Sequence, residues 1–271
     1  MLKNGIFFLL FVLPVTIQAG TLYLGAETGA NLLGIFTTNG ASVTAQTTVA
    51  TPTGVSNHFN GVGEGAGLSG IVTRAGFSNN LDTRNLSGAL IASFVNAGPG
   101  NEDLAGDGTQ LWSADSIANS IYQLNPTNGA LLGTHPITGN GSVVGLTFVG
   151  SQLWASDFST GSIGTINTVS NVYTVVFTST LGVNQVGGLA YDSANGVLWV
   201  GSTDRLRPYN LAGAILGPDV FTAATYGGTN FFFDGLAFID NTVPEPGTLF
   251  LLGSGMMALF AARRRREPGR R

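Results

Sequence analysis

The feature that most restricts the fold is a short element that returns along the chain. Leu111-Trp112-Ser113-Ala114-Asp115, Leu153-Trp154-Ala155-Ser156-Asp157 and Leu198-Trp199-Val200-Gly201-Ser202 are variants of one pattern, and Leu22-Tyr23-Leu24-Gly25-Ala26 is a fourth. The Trp residues lie 42 and 45 positions apart, and the 89 positions from Tyr23 to Trp112 make two periods. A fixed period of this length means like units stacked side by side, each too small to bury its own apolar face. Thr-Asn-Gly-Ala gives a second ruler: Gly40 and Gly129 each follow their anchor, Tyr23 or Trp112, by 17 residues. Counting back 17 from Gly88 places the missing copy's anchor at Ile71, within Leu68-Ser69-Gly70-Ile71-Val72. Anchors at 23, 71, 112, 154 and 199 give a mean spacing of 44 residues.

Ahead of the later anchors stands another element. Gly145-Leu146-Thr147-Phe148, Gly188-Leu189-Ala190-Tyr191 and Gly235-Leu236-Ala237-Phe238 share it, with Asp103-Leu104-Ala105-Gly106 a weaker form. Between Tyr191 and Val197 the segment Asp192-Ser193-Ala194-Asn195-Gly196 reads as a hairpin turn, because Asn-Gly supplies the positive φ it needs. Two more alternating segments follow each anchor, as at Ser120–Leu124 and Ala130–Thr134. Four short strands in about 44 residues is the size of one propeller blade. The sequence therefore predicts an all-β fold, a β-propeller of five four-stranded blades, or six if residues 45–70 hold a further strand set. The last copy has a first strand and no Leu-Trp partner, and the first copy has the partner strand alone. Pairing Leu236–Ile239 beside Leu22–Gly25 is expected to close the ring and remove both open sheet edges. A Gly-rich β-sandwich would also use the 40 glycines, yet it predicts no recurring 17-residue offset.

Two terminal segments read as addresses rather than fold. Met1-Leu2-Lys3-Asn4, the eight-residue apolar run Ile6–Leu13 and small Ala19 before Gly20 make a secretory signal peptide over 1–19, cut after Ala19. The run is far short of the about 20 residues that a membrane-spanning helix needs. At the other end, Val243-Pro244-Glu245-Pro246-Gly247 leads into 16 uncharged residues, Gly247–Ala262, and then Arg263-Arg264-Arg265-Arg266. That apolar stretch would be a transmembrane helix of roughly 24 Å. The four Arg would hold its far end in the cytoplasm, and the two Pro forbid helix before Gly247.

The tail of motif, apolar helix and Arg cluster over 244–271 closely resembles the PEP-CTERM sorting signal. The resemblance implies recognition by exosortase, a membrane-embedded protease/transpeptidase of bacteria that make exopolysaccharide, with processing near Pro244, Glu245 and Pro246. It also implies passage through the secretion machinery and an inner-membrane-anchored precursor held by residues 247–262. The final destination would be the cell envelope, or the extracellular matrix of a biofilm.

Between these addresses, residues 20–243 form the expected propeller domain. It carries only Arg74, Arg84, Arg205 and Arg207 against 13 Asp and Glu, a net charge of −9, and no Lys. Such a surface repels nucleic acid and anionic lipid. The absence of Cys excludes disulfides, Cys-ligated metal and a thiol nucleophile.

Candidate chemistry is sparse. Trp112, Trp154 and Trp199 could form a sugar-stacking platform, but their equivalent places beside Leu favour core between blades. Asp115 and Asp157, three residues after their Trp, could make a cation-binding rim, yet strand-ending turn caps are the simpler reading. Asn101-Glu102-Asp103-Leu104-Ala105-Gly106-Asp107-Gly108 resembles a calcium loop only loosely, its spacing missing the D-x-[DN]-x-[DN]-G pattern. His58 and His135 are the only histidines and form no ligand pair. No phosphate loop or nucleophile elbow is present. No catalytic, cofactor or metal residue is assigned. The leading expectation is a non-catalytic binding or structural protein associated with exopolysaccharide. The competing one is an extracellular propeller hydrolase, lactonase-like or glycan-cleaving, with a carboxylate-lined central site.

Overall fold

The computed structural model describes residues 19–26, 32–50, 59–64, 70–75, 80–94, 99–100, 102–228 and 231–240. The expected signal peptide up to Gln18, His58 and everything from Asn241 onward lie outside the described residues, including Pro244, Glu245, Pro246, the 247–262 segment and Arg263–Arg266. No helix among the described residues is long and apolar enough to cross a membrane.

Among the described residues, twenty strands build five four-stranded antiparallel sheets. The first blade holds β1 (Ala19–Gly25), β2 (Leu32–Asn39) and β3 (Ser42–Ala50), and the second β4 (Phe59–Glu64), β5 (Ile71–Ala75), β6 (Leu81–Arg84) and β7 (Leu90–Phe94). The third is β8 (Leu104–Gly106), β9 (Leu111–Asp115), β10 (Ser120–Leu124) and β11 (Leu131–Pro136). The fourth is β12 (Val143–Val149), β13 (Gln152–Asp157), β14 (Ser162–Asn167) and β15 (Val172–Thr178). The fifth is β16 (Leu189–Asp192), β17 (Val197–Ser202), β18 (Arg205–Tyr209) and β19 (Val220–Phe221), followed by one helical turn, α1 (Ala223–Tyr226). The last strand, β20 (Gly235–Asp240), runs antiparallel to β1, with Leu22 opposite Phe238, Tyr23 opposite Ala237 and Leu24 opposite Leu236. It is the innermost strand of the first blade. Around the axis β4 touches β8, β8 touches β12, β12 touches β16, β16 touches β20, and β20 touches β4.

Burial within each blade follows from this packing. The second strand β17 (Val197–Ser202) is buried along its whole length and β9 and β13 over most of theirs, whereas the outer β11 and β15 are largely exposed. A strand covered on both faces is mostly apolar, its polar groups such as Ser113 and Ser156 being buried too, and one at the rim needs only to form a ladder. Five apolar clusters each join two neighbouring blades. Trp112 packs between the third and fourth blades, Trp154 between the fourth and fifth, and Trp199 between the fifth and first. None of the three is more than 7% exposed, so they are core and not a stacking platform.

The second-blade anchor differs from the expected one by a single residue. Trp112, Trp154 and Trp199 stand opposite Ala105, Thr147 and Ala190, and the residue in that register on β5 is Val72, opposite Gly63. Val72 faces the third blade, while Ile71 faces the first. The 17-residue ruler slips here because this hairpin is one residue shorter. The ruler holds at Gly40, Gly129 and Asn171, whereas in the fifth blade Gly213 follows Trp199 by 14 residues. The hairpin between third and fourth strands carries a left-handed residue in every blade: Gly40, Gly88, Gly129, Asn171 and Gly213. Four of these turns open on an Asn whose Oδ1 accepts backbone N–H groups just ahead: Asn85, Asn125, Asn167 and Asn210.

Candidate functional site

The innermost strands align at the axis as Gly61-Val62-Gly63-Glu64, Asp103-Leu104-Ala105-Gly106, Gly145-Leu146-Thr147-Phe148, Gly188-Leu189-Ala190-Tyr191 and Gly235-Leu236-Ala237-Phe238. Four of the five begin with Gly, for a steric reason. A Cβ on Gly145 would stand 2.3 Å from the Gly187 carbonyl oxygen, and one on Gly188 2.4 Å from that of Asp234. The fifth strand has Asp103 instead, and its fully buried carboxylate occupies the hub. Oδ1 accepts the N–H of Leu104 (2.9 Å) and Leu236 (3.1 Å), and Oδ2 accepts those of Leu146 and Leu189 (both 3.1 Å). One side chain thus gathers backbone donors from four blades. Burial pushes the Asp103 carboxyl well above its ordinary value, and the four N–H donors pull the other way. Both oxygens act only as acceptors, which is the bonding of an ionised carboxylate.

Above the hub lies the axial mouth, a depression of about 510 Å³. Its wall comes from the ends of the innermost strands, which contribute Glu64, Phe148, Tyr191, Phe238 and Asp240, and from the turn after β8, which contributes Asp107. Asp107 is held rigidly: Oδ1 accepts from Thr109 and Gln110 N–H (2.8 and 2.6 Å), and Oδ2 accepts the Trp112 indole N–H (2.9 Å). Asp240 accepts the Ser193 hydroxyl at 2.7 Å. Glu64 opens onto the depression, and among the described residues no hydrogen bond to its carboxylate is found. Desolvation by the surrounding protein, together with the charge of Asp240, pushes Glu64 up to about 7. The same Asp240 charge adds to the burial that raises Tyr191 and Asp192. Negative potential is therefore concentrated at this end of the axis.

No cation among the described residues offsets it, because the four Arg are engaged elsewhere. Arg84 pairs with Asp82 at 2.7 Å, bonds Thr73 Oγ1 and the Gly88 carbonyl, and lies over the Phe59 ring. Arg74 is fully buried and donates to Ser113 Oγ at 3.2 Å, with burial drawing it down to about 10 against the support of Asp115. Arg207 and Arg205 both reach Asp219, at 2.6 and 3.3 Å.

The remaining sequence candidates are structural. Asp115 Oδ1 caps the turn at Ile117 and Ala118, and Asp157 accepts from Gly141, Ser142 and Ser159, so both terminate strands. The carboxylates of the loosely calcium-like segment diverge: Glu102 accepts from Ser116 Oγ, Asp103 fills the hub, and Asp107 caps the turn at the mouth. His135 bonds Asn171 through Nδ1 at 3.0 Å and lies 5.3 Å from the Trp112 ring. Sequence reasoning weighed Asp103 only as part of a loose calcium-like segment, not as a hub, and passed over Glu64. The signal was available, since each departs from the small or aromatic residue that its repeat equivalents carry.

Residues 242–266 match the PEP-CTERM protein-sorting motif. The motif implies export to the envelope through a membrane-anchored precursor and processing by exosortase, and the fold it accompanies is a propeller. No curated protein matches the chain. Among solved structures it is similar to a chain of a nidogen/laminin complex, with 13% identity, TM-score 0.57, and 82% of this chain and 98% of that one covered. It is also similar to a Bacteroides caccae protein of unknown function, with 12% identity, TM-score 0.49, and 81% and 98% covered. A third is Myxococcus xanthus glutaminyl cyclase, with 15% identity, TM-score 0.47, and 69% and 76% covered. At these identities the likeness concerns the fold alone.

Proposed function

We propose that the chain is a non-catalytic binding protein of the cell envelope or extracellular matrix that holds exopolysaccharide at the axial mouth of its propeller. The observation that carries this reading is the mouth itself. It has the size of a small-molecule site, roughly 300–1,000 Å³, and its wall combines aromatic side chains with carboxylates. Aromatic faces and polar groups together are what carbohydrate recognition requires. Export implied by the sorting motif supports a reading in which the ligand is an extracellular polysaccharide. Within this reading residues 1–19 are removed after Ala19, residues 20–243 form the propeller, and 244–271 are the sorting signal cut near Pro244–Pro246.

Two measurements test it. Mass spectrometry of the secreted protein is expected to find Gly20 at the N-terminus and no Arg263–Arg271; a mature form that keeps those Arg overturns the processing. Co-sedimentation with exopolysaccharide from the producing bacterium is expected to retain the protein, and free passage overturns the binding role. One observation favours a second reading, a glycan-cleaving hydrolase: Glu64 titrates near neutrality beside a second carboxylate, Asp240, as a general acid does. Release of reducing ends from the same polysaccharide would select it, and an unchanged polymer selects the binder.

A further inference from the structure

The axial mouth does not stand alone. A second depression of about 470 Å³ runs outward between the third and fourth blades, and the two share Asp107, Phe148 and Gly150 along their common edge. Together they make a groove with two chemically different halves. The axial half carries carboxylates and aromatic rings, and neither half is lined by Arg, Lys or His. Away from the shared Asp107, the outward half is lined by uncharged side chains, among them Trp112 and the polar Thr109, Gln152 and Asn167. Gln152 donates Nε2 to the Leu153 and Ile166 carbonyls, which orients Oε1 as the remaining acceptor. Asn167 uses Oδ1 to accept from Val169 and Ser170, which leaves its Nδ2 as a donor.

We infer that this groove takes an oligosaccharide bearing free amino groups, with an ammonium in the axial half and a neutral, hydroxyl-rich unit in the outward half. An ammonium is attracted by aromatic faces as well as by carboxylates, so Phe148, Tyr191, Glu64 and Asp240 act together on it. An anionic sugar meets repulsion in the axial half, and a fully neutral one leaves the Glu64 carboxylate without a counter-charge there. The fixed donor and acceptor of Asn167 and Gln152 suit hydroxyls, which both give and accept hydrogen bonds. The inference rests on the reading of the chain as a polysaccharide binder and adds the charge class of the sugar.

The test is calorimetric titration of the full-length chain with a β-linked glucosamine tetramer and with its fully N-acetylated counterpart. The amine form is expected to bind at least about tenfold more tightly, and Glu64→Gln or Asp240→Asn to remove most of that preference. Equal affinity for the two tetramers, or a preference untouched by both substitutions, overturns the inference. Tetramethylammonium competition on the unsubstituted chain makes the test independent of how any variant folds: displacement of the amine tetramer is expected, and its absence counts against an ammonium site. A chain that holds the native exopolysaccharide and ignores amine oligomers sinks this inference alone, whereas one that holds neither sinks the binder as well.

Discussion

At the residue scale two carboxylates govern the axis in opposite ways. Asp103 is buried and fully bonded, so removing its charge leaves backbone donors of several blades facing an unsuitable partner. Asp103→Asn places an amide nitrogen against two N–H groups and is expected to cost about 2–3 kcal/mol. In a domain of this size that is a fall of roughly 5–10 °C in Tm, which thermal denaturation followed by circular dichroism measures. Glu64 is the reverse case, a carboxyl whose folded value is raised from 4.5 to about 7 by desolvation and Asp240. The folded state then holds a proton that the unfolded state has released, so this group's contribution is fully present below pH 4.5 and is lost as pH rises through about 7. Tm is expected to drift downward over that window, and Glu64→Gln is expected to flatten the drift. A permanently charged trimethylammonium ligand should follow the opposite trend, binding more tightly as Glu64 ionises. The other charges facing the ligand are Asp107 and Asp240, with Tyr191 beside them.

At the scale of strands and turns, the sequence pattern was legible wherever a geometric demand was repeated. The hairpin ruler worked because each third turn needs one left-handed residue, and it extends to Asn171, 17 positions after Trp154, where Asn replaces Gly. Asn tolerates that conformation, so Asn171→Ala is expected to destabilise by about 1–2 kcal/mol while Asn171→Gly costs less, a difference that urea denaturation resolves. The second blade was harder to read. Its inner strand, Gly61-Val62-Gly63, has lost the Leu-Ala part of the pattern, and its anchor has shrunk from Trp to Val72. A ruler fixed to the turn cannot detect a turn that is one residue short. The axial glycines were visible as a pattern, but their reason was not, because the oxygen that forbids a side chain lies on the neighbouring blade. Gly145→Ala drives a Cβ onto the Gly187 backbone and is expected to abolish cooperative unfolding or to cost more than about 3 kcal/mol, read from the same denaturation curves.

On the scale of the whole molecule, charge is sorted by position. The four Arg of the 20–243 segment are engaged in ion pairs and hydrogen bonds within the second and fifth blades and toward the third, while carboxylates remain at the axial mouth. Net charge was readable from composition. Where it concentrates was not, because Glu64 and Asp240 are 176 residues apart in sequence and meet only through the ring. The same ring bears on the order of events during synthesis. The first three strands to emerge must wait for β20, which is made more than 180 residues after β3. Until that final ribbon exists, the leading blade lacks its inner member and stays open. A polypeptide arranged in this way locks its architecture only once its last described strand has been made.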